Sequence, residues 1–208
     1  MTVRLHRGDL PDLSRYTDSV AIDTETMGLH PHRDRLCVVQ LSNGDGSADV
    51  VQIPKDHGHA ASDAPHLKAL LADSRITKIF HFARFDLGAL YNSFGVMAKP
   101  VYCTKIASRL TRTYTDRHGL KDLAREVLNI DLSKQQQSSD WGAQSLSEAQ
   151  LAYAAADVLH LHALRERLDI MLAREGRLEL AQACFEFLPV RAKLDLLGWE
   201  AEDIFAHS

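Results

Sequence analysis

Apolar positions in the first half of the chain fall into short runs rich in β-branched residues. Runs at 20–25, 36–41 and 50–53 predict strands, and the segment SNGDGSAD between the last two has the composition of a hairpin turn. Helical spacing in PHLKALLAD, a strand-like ITKIFHF and a helical DLGALYNSFG follow in that order. Strands and helices that alternate in this way predict a layered α/β fold.

The second half of the chain is mostly helical in pattern, apart from the polar stretch DLSKQQQSSDWGAQ, which we expect to be an ordered loop. Ser147 and Gln150 have the Ser-x-x-Gln spacing of a capping box, which predicts one long helix that ends at Gly176. A last helix is expected at about 178–197. No repeat or clear linker divides the 208 residues, so the pattern predicts one domain over 1–208.

Composition and charge narrow the class of protein without identifying a partner. No run approaches the roughly 18 apolar residues of a membrane span, and MTVRLHRGDL lacks the apolar core of a signal peptide, so we expect a cytoplasmic protein without membrane contact. The three cysteines are far apart and form no CxxC, which argues against a disulfide framework or a zinc site. Because the net charge is −4, a nucleic-acid partner would need a local basic patch or bound cations.

The first predicted strand carries two acids one residue apart, in the segment DTET. Side chains alternate in a strand, so Asp23 and Glu25 should point the same way with Cα atoms about 6–7 Å apart. Two carboxylates held that close in a buried position repel each other unless a cation lies between them, and a divalent metal would satisfy both. The alternative is that the strand ends at Ile22 and that DTETMG is a solvated turn.

Two more segments place acids where they could join this pair. Asp86 follows a predicted strand at the start of a helix; it could equally be an acid that stabilises the helix N-terminus. Tyr153 and Asp157 are four residues apart and share one face of a helix, where the alternative is a Tyr–Asp hydrogen bond within a helical core. Together the segments supply four acids and one phenol from three elements that this order of strands and helices could bring together.

The segments DTET, HFARFDL and YAAADV resemble, in order and spacing, the three motifs of the DEDD superfamily of 3′–5′ exonucleases. The Tyr-x-x-x-Asp form of the third is that of the tyrosine subclass. RLCVVQLS, CTKIASRL and SKQQQSSDWGAQ further resemble ribonuclease D, so the likeness extends over about 20–164. It implies a ribonuclease H-like mixed sheet of five strands flanked by helices, with a helical C-terminal part.

The resemblance also implies a chemistry: hydrolysis of phosphodiesters from a 3′ end to 5′-mononucleotides with two divalent cations. Oxygen ligands suit Mg²⁺ or Mn²⁺. By this resemblance Asp23 would bridge both ions, and Glu25 and Asp157 would complete the site that activates water. Asp86 would hold the second ion through water, and Tyr153 would orient the attacking water.

Candidate substrate contacts come from the same motifs and from the loop before the late helix. Arg84 and Lys134 could contact the phosphate backbone or be solvated charges, His81 could approach the substrate or simply pack, and Trp141 could stack on a base or anchor its loop in the core. The full set is Thr24, Met27, His81, Phe82, Arg84, Lys134, Gln136, Ser139 and Trp141.

Departures from the ribonuclease D pattern leave the substrate open. Many relatives have Asn where this chain has Phe82, and DTETMGLHPHRDRL looks more like the proofreading exonuclease segment of DNA polymerases. We expect RNA 3′ ends as the substrate, with DNA or an inactive nucleic-acid-binding module as the alternatives. Few residues follow Leu197, so we expect a short form without C-terminal helical RNA-binding domains, which is a monomer or a weak homo-oligomer.

Overall fold

The computed structural model describes residues 2–30, 32–55, 63–133 and 135–207. A six-stranded mixed sheet, ordered β1-β4-β3-β2-β5-β6, forms the centre of the fold. β2, β3 and β4 make an antiparallel meander, whereas β5 pairs in parallel with both β2 and β6, and β1 pairs in parallel with β4. The strands are β1 Thr2–Arg7, β2 Ser19–Thr26, β3 Leu36–Ser42, β4 Ser47–Gln52, β5 Thr77–Phe80 and β6 Val101–Cys103.

Helices pack against this sheet and against one another. They are α1 Pro65–Ala72, α2 Ala83–Phe94, α3 Thr104–Thr111, α4 Leu120–Leu128, α5 Glu148–Leu159, α6 Leu161–Arg174 and α7 Leu178–Leu194, and a π-helical turn, Asp195–Trp199, follows α7. α5 covers β2, β3 and β4, and α7 packs on α2 and β6. Among the described residues, no helix has both the length and the apolar character that crossing a bilayer requires.

Alternate residues of the meander supply two apolar layers. Val39 and Leu41 belong to the larger core, whereas Val38 and Val50 belong to a smaller core that includes Ala154 of α5 and Trp141. All of these side chains are buried. The α/β fold that the hydrophobic pattern predicts is therefore confirmed, and α5 is fixed over the face of the meander that carries Val38.

The prediction of five strands is wrong, because β1 adds a sixth. Its sequence, TVRLHR, has no continuous apolar run, and its residues are exposed or half-buried. Pairing with β4 stabilises it, and two polar side chains of β1 reach one buried acid: Arg4 Nε donates to Asp49 Oδ1 at 3.1 Å, and His6 Nε2 lies 2.9 Å from the same oxygen. Val3 and Leu5 alternate with polar residues, whereas the predicted strands were identified from continuous β-branched runs, so this strand was missed.

The predicted helix from Ser147 to about Glu175 begins as expected but is broken. Ser147 Oγ accepts from the backbone N–H of Gln150, and Gln150 Oε1 accepts from that of Ser147, which confirms the capping box. His160, at φ −107° and ψ −1°, then separates α5 from α6. The sequence carries no glycine or proline at this point, so hydrophobic spacing alone did not reveal the break.

The capping box should hold the first turn of α5. Ser147→Ala removes the side-chain acceptor for the N–H of Gln150, and we expect the free energy of unfolding to fall by about 1 kcal/mol in urea denaturation. Ser145→Ala is the matched control, because Ser145 is exposed and lies outside the cap. Equal stability of the two variants would show that the cap contributes nothing.

Candidate active site

Three acids from two elements meet on the face of the sheet that α5 covers. Asp23 and Glu25 project from β2, and Asp157 projects from α5; one carboxylate oxygen from each lies within 4.8 Å of the others. β2 continues to Thr26, so the alternative of a solvated turn after Ile22 is wrong. The face that β2 shares with α5 therefore carries both acids of DTET, as strand alternation requires.

Asp86 lies beside this group, in the first turn of α2. Its side chain is buried, and Thr24 Oγ1 donates to its Oδ1 at 2.7 Å. Asp86 is outside the group of three whose oxygens lie within 4.8 Å, yet its charge raises the pKa of Asp23 more than any other neighbouring charge does. The helix thus brings the fourth acid next to the cluster without placing it among the other three.

Burial is the largest cause of a raised pKa at all four acids. It raises the pKa of Asp23 well above the usual range, with further increases from Asp86, Asp157 and Glu25. The pKa of Glu25 is raised to about 8, and the pKa values of Asp86 and Asp157 are raised to about 7. Four carboxyl groups that resist ionisation together form a site that a cation would neutralise.

Tyr153 lies one helical turn before Asp157, and the two side chains are hydrogen-bonded. Burial and the charges of Asp157 and Glu25 raise the pKa of the phenol, so it keeps its proton. Its ring packs against Trp141, with centroids 6.0 Å apart, and Trp141 is itself buried. Tyr153 is therefore a fixed hydrogen-bond donor beside the acids and cannot serve as a base at neutral pH.

A cleft of about 300 Å³ opens over the acids. Three predicted contacts, Thr24, His81 and Phe82, line it together with two lysines, Lys105 and Lys121. Lys105 Nζ lies 4.1 Å from the centroid of the Phe82 ring. The other described residues of the lining are Gly119, Leu120, Leu132, Ser133 and Gln137, with the acids Asp23, Glu25 and Asp157 and the phenol Tyr153.

His81 and Phe82 reach the cleft in different ways. His81 Nδ1 is hydrogen-bonded to Thr104 Oγ1 at 2.9 Å, and burial lowers the pKa of its imidazole to about 3, so the ring is neutral. Phe82 has a left-handed backbone, at φ 72°, and is 44% exposed. That backbone conformation is costly for an aromatic residue. The turn before α2 maintains it, and the exposed Phe82 ring lies at the cleft.

The remaining predicted contacts have other surroundings. Arg84 donates to the carboxylate of Asp195 and to the backbone carbonyl of Glu200. Ser139 Oγ accepts from Gln150 Nε2 at 3.2 Å, and Met27 is 53% exposed. Gln136 is half-buried and is not among the described residues that line the cleft, whereas Gln137 is. Lys134 lies outside the described residues.

Lys105 and Gln137 are residues of the cleft that the sequence analysis did not single out. Lys105 lies in CTKIASRL, in the first turn of α3, directly after the carboxyl end of β6, where functional groups collect in α/β sheets. Gln137 is the third of three adjacent glutamines, and nothing in the sequence distinguishes which of them faces the acids. The position of Lys105 after a strand could have identified it from the sequence, whereas no feature of the sequence identifies Gln137.

Proteins of known family are similar in sequence to most of this chain. The 3′-5′ exonuclease family profile matches residues 10–173. Ribonuclease D of Acidiphilium cryptum is 38% identical over 160 residues, which are 77% of this chain and 39% of that protein. The chain thus spans about two fifths of the length of the curated relatives that it matches.

Solved structures extend the likeness to the whole chain. NrnC of Brucella melitensis with bound Mg²⁺ is 60% identical, covers 100% of both chains and has a TM-score of 0.95, and NrnC bound to pGG is 61% identical with a TM-score of 0.96. Escherichia coli RNase D is 27% identical over 86% of this chain and 46% of its own, with a TM-score of 0.74. The chain belongs to the 3′–5′ exonuclease family that includes ribonuclease D and NrnC.

Proposed function

We propose that this chain is a metal-dependent 3′–5′ exoribonuclease that releases 5′-mononucleotides from RNA 3′ ends with two divalent cations, Mg²⁺ or Mn²⁺. The observation that carries the proposal is the meeting of Asp23, Glu25 and Asp157, whose oxygens lie within 4.8 Å of one another. Asp86 completes the set from the adjacent helix, and the acids open into a cleft that also contains lysine side chains.

The donor set fits the proposed cations. Its ligands are carboxylate oxygens alone, which are the donors that Mg²⁺ and Mn²⁺ prefer. Asp23, Glu25, Asp86 and Asp157 would hold the ions, and NrnC, the full-length relative, has a structure with bound Mg²⁺. When bound, a pair of divalent cations activates water, neutralises the scissile phosphate and stabilises the leaving oxygen.

The chain's own groups would orient the reactants around this site. Tyr153 keeps its proton and donates a hydrogen bond to Asp157, so its hydroxyl oxygen is left to accept a hydrogen bond from the attacking water and orient it. Thr24 donates to Asp86 and so fixes the direction of that carboxylate. Trp141 and Ser139 act indirectly: Trp141 supports the ring of Tyr153, and Ser139 holds its loop on Gln150.

The walls of the cleft suit a short piece of RNA. The ammonium groups of Lys105 and Lys121 can pair with phosphate oxygens, and the exposed ring of Phe82 offers a stacking surface for a base. His81 is neutral and lines the same cleft, so we propose that it packs against the sugar of the terminal nucleotide. NrnC bound to pGG supports a short oligoribonucleotide as the preferred substrate. Met27, Arg84 and Gln136 stay proposed substrate contacts, as does Lys134, which lies outside the described residues.

The direct test is product release from RNA and DNA of matched sequence. Asp157→Asn keeps the size of the side chain but weakens a proposed cation ligand. We expect no detectable shortening of 5′-labelled RNA from its 3′ end in Mg²⁺ or Mn²⁺, with an unchanged circular dichroism spectrum. Tyr153→Phe should lower kcat by about 100-fold or more, since it loses the hydroxyl that joins Asp157 to the attacking water but keeps the ring.

Asp131→Asn is the control for this assay, because the Asp131 side chain is 80% exposed and lies outside the cleft. It should cleave like the wild type. Full activity of Asp157→Asn would contradict the assignment of this acid to a cation. Release from DNA but not from RNA would contradict the proposed substrate and leave the exonuclease assignment in place.

The raised pKa values predict how stability varies with pH in a chelator. The pKa of Glu25 is about 8 in the folded protein, compared with 4.5 for an ordinary glutamate such as that of the unfolded chain. At pH values between 4.5 and about 8, the folded state therefore binds more protons than the unfolded state. The free energy of unfolding in EDTA should therefore fall as the pH rises from about 4.5 to about 8. Glu25→Gln should flatten part of this fall, and Mg²⁺ should raise the melting temperature most at the alkaline end.

Glu166→Gln is the matched control for the pH series, since Glu166 is exposed on α6. Its urea denaturation curves should follow those of the wild type at each pH. A wild-type stability that rises over this range, or a Glu25→Gln variant with the wild-type slope, would show that the acids are not held together as described.

A further inference from the structure

Gln40 is the residue of β3 that lies directly opposite Asp23. The two are paired in the antiparallel register of β2 and β3, so their side chains emerge on the same face, the one that α5 covers. Gln40 is fully buried, and its Nε2 donates to Asp23 Oδ2 at 3.0 Å. Nothing in the sequence analysis or in the proposed mechanism assigns a role to this side chain.

The amide is an unusual choice for this position. Its neighbours on the same face of the meander include Val38 and Val50, which belong to the apolar core under α5. The Oε1 atom of Gln40 is buried and has no hydrogen-bond partner among the described residues. A buried carbonyl oxygen without a partner is unfavourable, so an apolar residue would suit the packing better. The feature that an apolar residue would lack is the N–H group directed at Asp23.

We infer that Gln40 is a positioning residue that fixes the carboxylate of Asp23 for cation binding; this inference rests on the proposed function. An ionised carboxylate accepts about four hydrogen bonds or metal contacts. By occupying one of these positions on Oδ2, the amide prevents rotation of the carboxylate and leaves the other positions for the cations. Hydrogen bonds of this kind orient ligating side chains at metal sites.

The other acids have comparable donors, which supports the inference. Thr24 donates to Asp86, and Tyr153 is hydrogen-bonded to Asp157. Thr24 and Tyr153 both line the cleft, whereas Gln40 is not among the described residues of its lining. Gln40 thus acts through Asp23 alone, and its effect should be seen in cation affinity before any substrate is added.

A second buried glutamine in the same sheet provides the control. Gln52 of β4 is 7% exposed, pairs in register with Val38, and also has a buried Oε1 without a partner among the described residues. Its Nε2 donates to the backbone carbonyl of Ala143 at 2.8 Å and not to an acid. Replacing Gln52 thus disturbs a similar buried amide on the same face without touching the cluster.

The test is direct Mn²⁺ binding, measured by electron paramagnetic resonance on the protein without substrate. Gln40→Met preserves the length of the side chain and removes the donor, and we expect an affinity about 10- to 100-fold weaker than that of the wild type. Gln52→Met should bind Mn²⁺ like the wild type. Gln40→Asn retains an amide on a shorter side chain, which moves it away from Asp23, so this variant should also bind Mn²⁺ more weakly. It serves as the test if Gln40→Met does not fold.

The outcomes separate this inference from the proposed function. Wild-type protein that binds no Mn²⁺ would overturn the cation site itself. Wild-type binding with equal affinity in the folded Gln40 variants would overturn the role of Gln40 and leave the cation site intact. Equal losses in Gln40→Met and Gln52→Met would mean that the effect is a general loosening of the sheet, which would also overturn the inference.

Discussion

The burial of four carboxylates beside one another is the constraint on which the rest of this structure depends. Asp86 is buried, and Asp23, Glu25 and Asp157 are half-buried at the base of a cleft; burial raises the pKa of each. Folding gains nothing from such a cluster, since apolar residues there would pack without this cost. The arrangement is therefore explained by a ligand that supplies positive charge. Bound cations would also make the site attractive to a phosphate substrate, although the net charge of the chain is −4.

The fold holds the four acids together by placing them on three elements, β2, α2 and α5. β2 lies between β3 and β5 near the middle of the sheet, so the pair Asp23 and Glu25 cannot separate. α2 begins directly after β5 and brings Asp86 up to Thr24. α5 packs over the meander through Ala154 and Trp141, and it carries Asp157 and Tyr153. The donors beside the acids then set the direction of each carboxylate.

The sequence revealed the acids because their spacing follows local geometry. Alternation along a strand relates Asp23 to Glu25, and a separation of four residues along a helix relates Tyr153 to Asp157. Contacts that depend on neighbouring strands could not be derived in this way. Gln40 lies in a quoted block of the sequence, yet its contact with Asp23 depends on the register between β2 and β3, which side-chain spacing does not encode.

The other differences have the same origin in long-range structure. The strand β1 is stabilised by pairing with β4 and by polar contacts to Asp49, and its own pattern is weak. Arg84, adjacent in sequence to the second motif, is engaged by Asp195, which lies more than a hundred residues later. The sequence does not indicate whether a charged side chain contacts a substrate or an acid of its own chain. Only the folded structure distinguishes the two.

The account is tested most directly by a crystal of this protein soaked in saturating Mn²⁺, with the ions located by their anomalous scattering. The account predicts two peaks in the acidic cleft that share Asp23 as a ligand, one of them also contacted by Glu25 and Asp157. Density that shows the four carboxylates in place but no Mn²⁺ between them would contradict it.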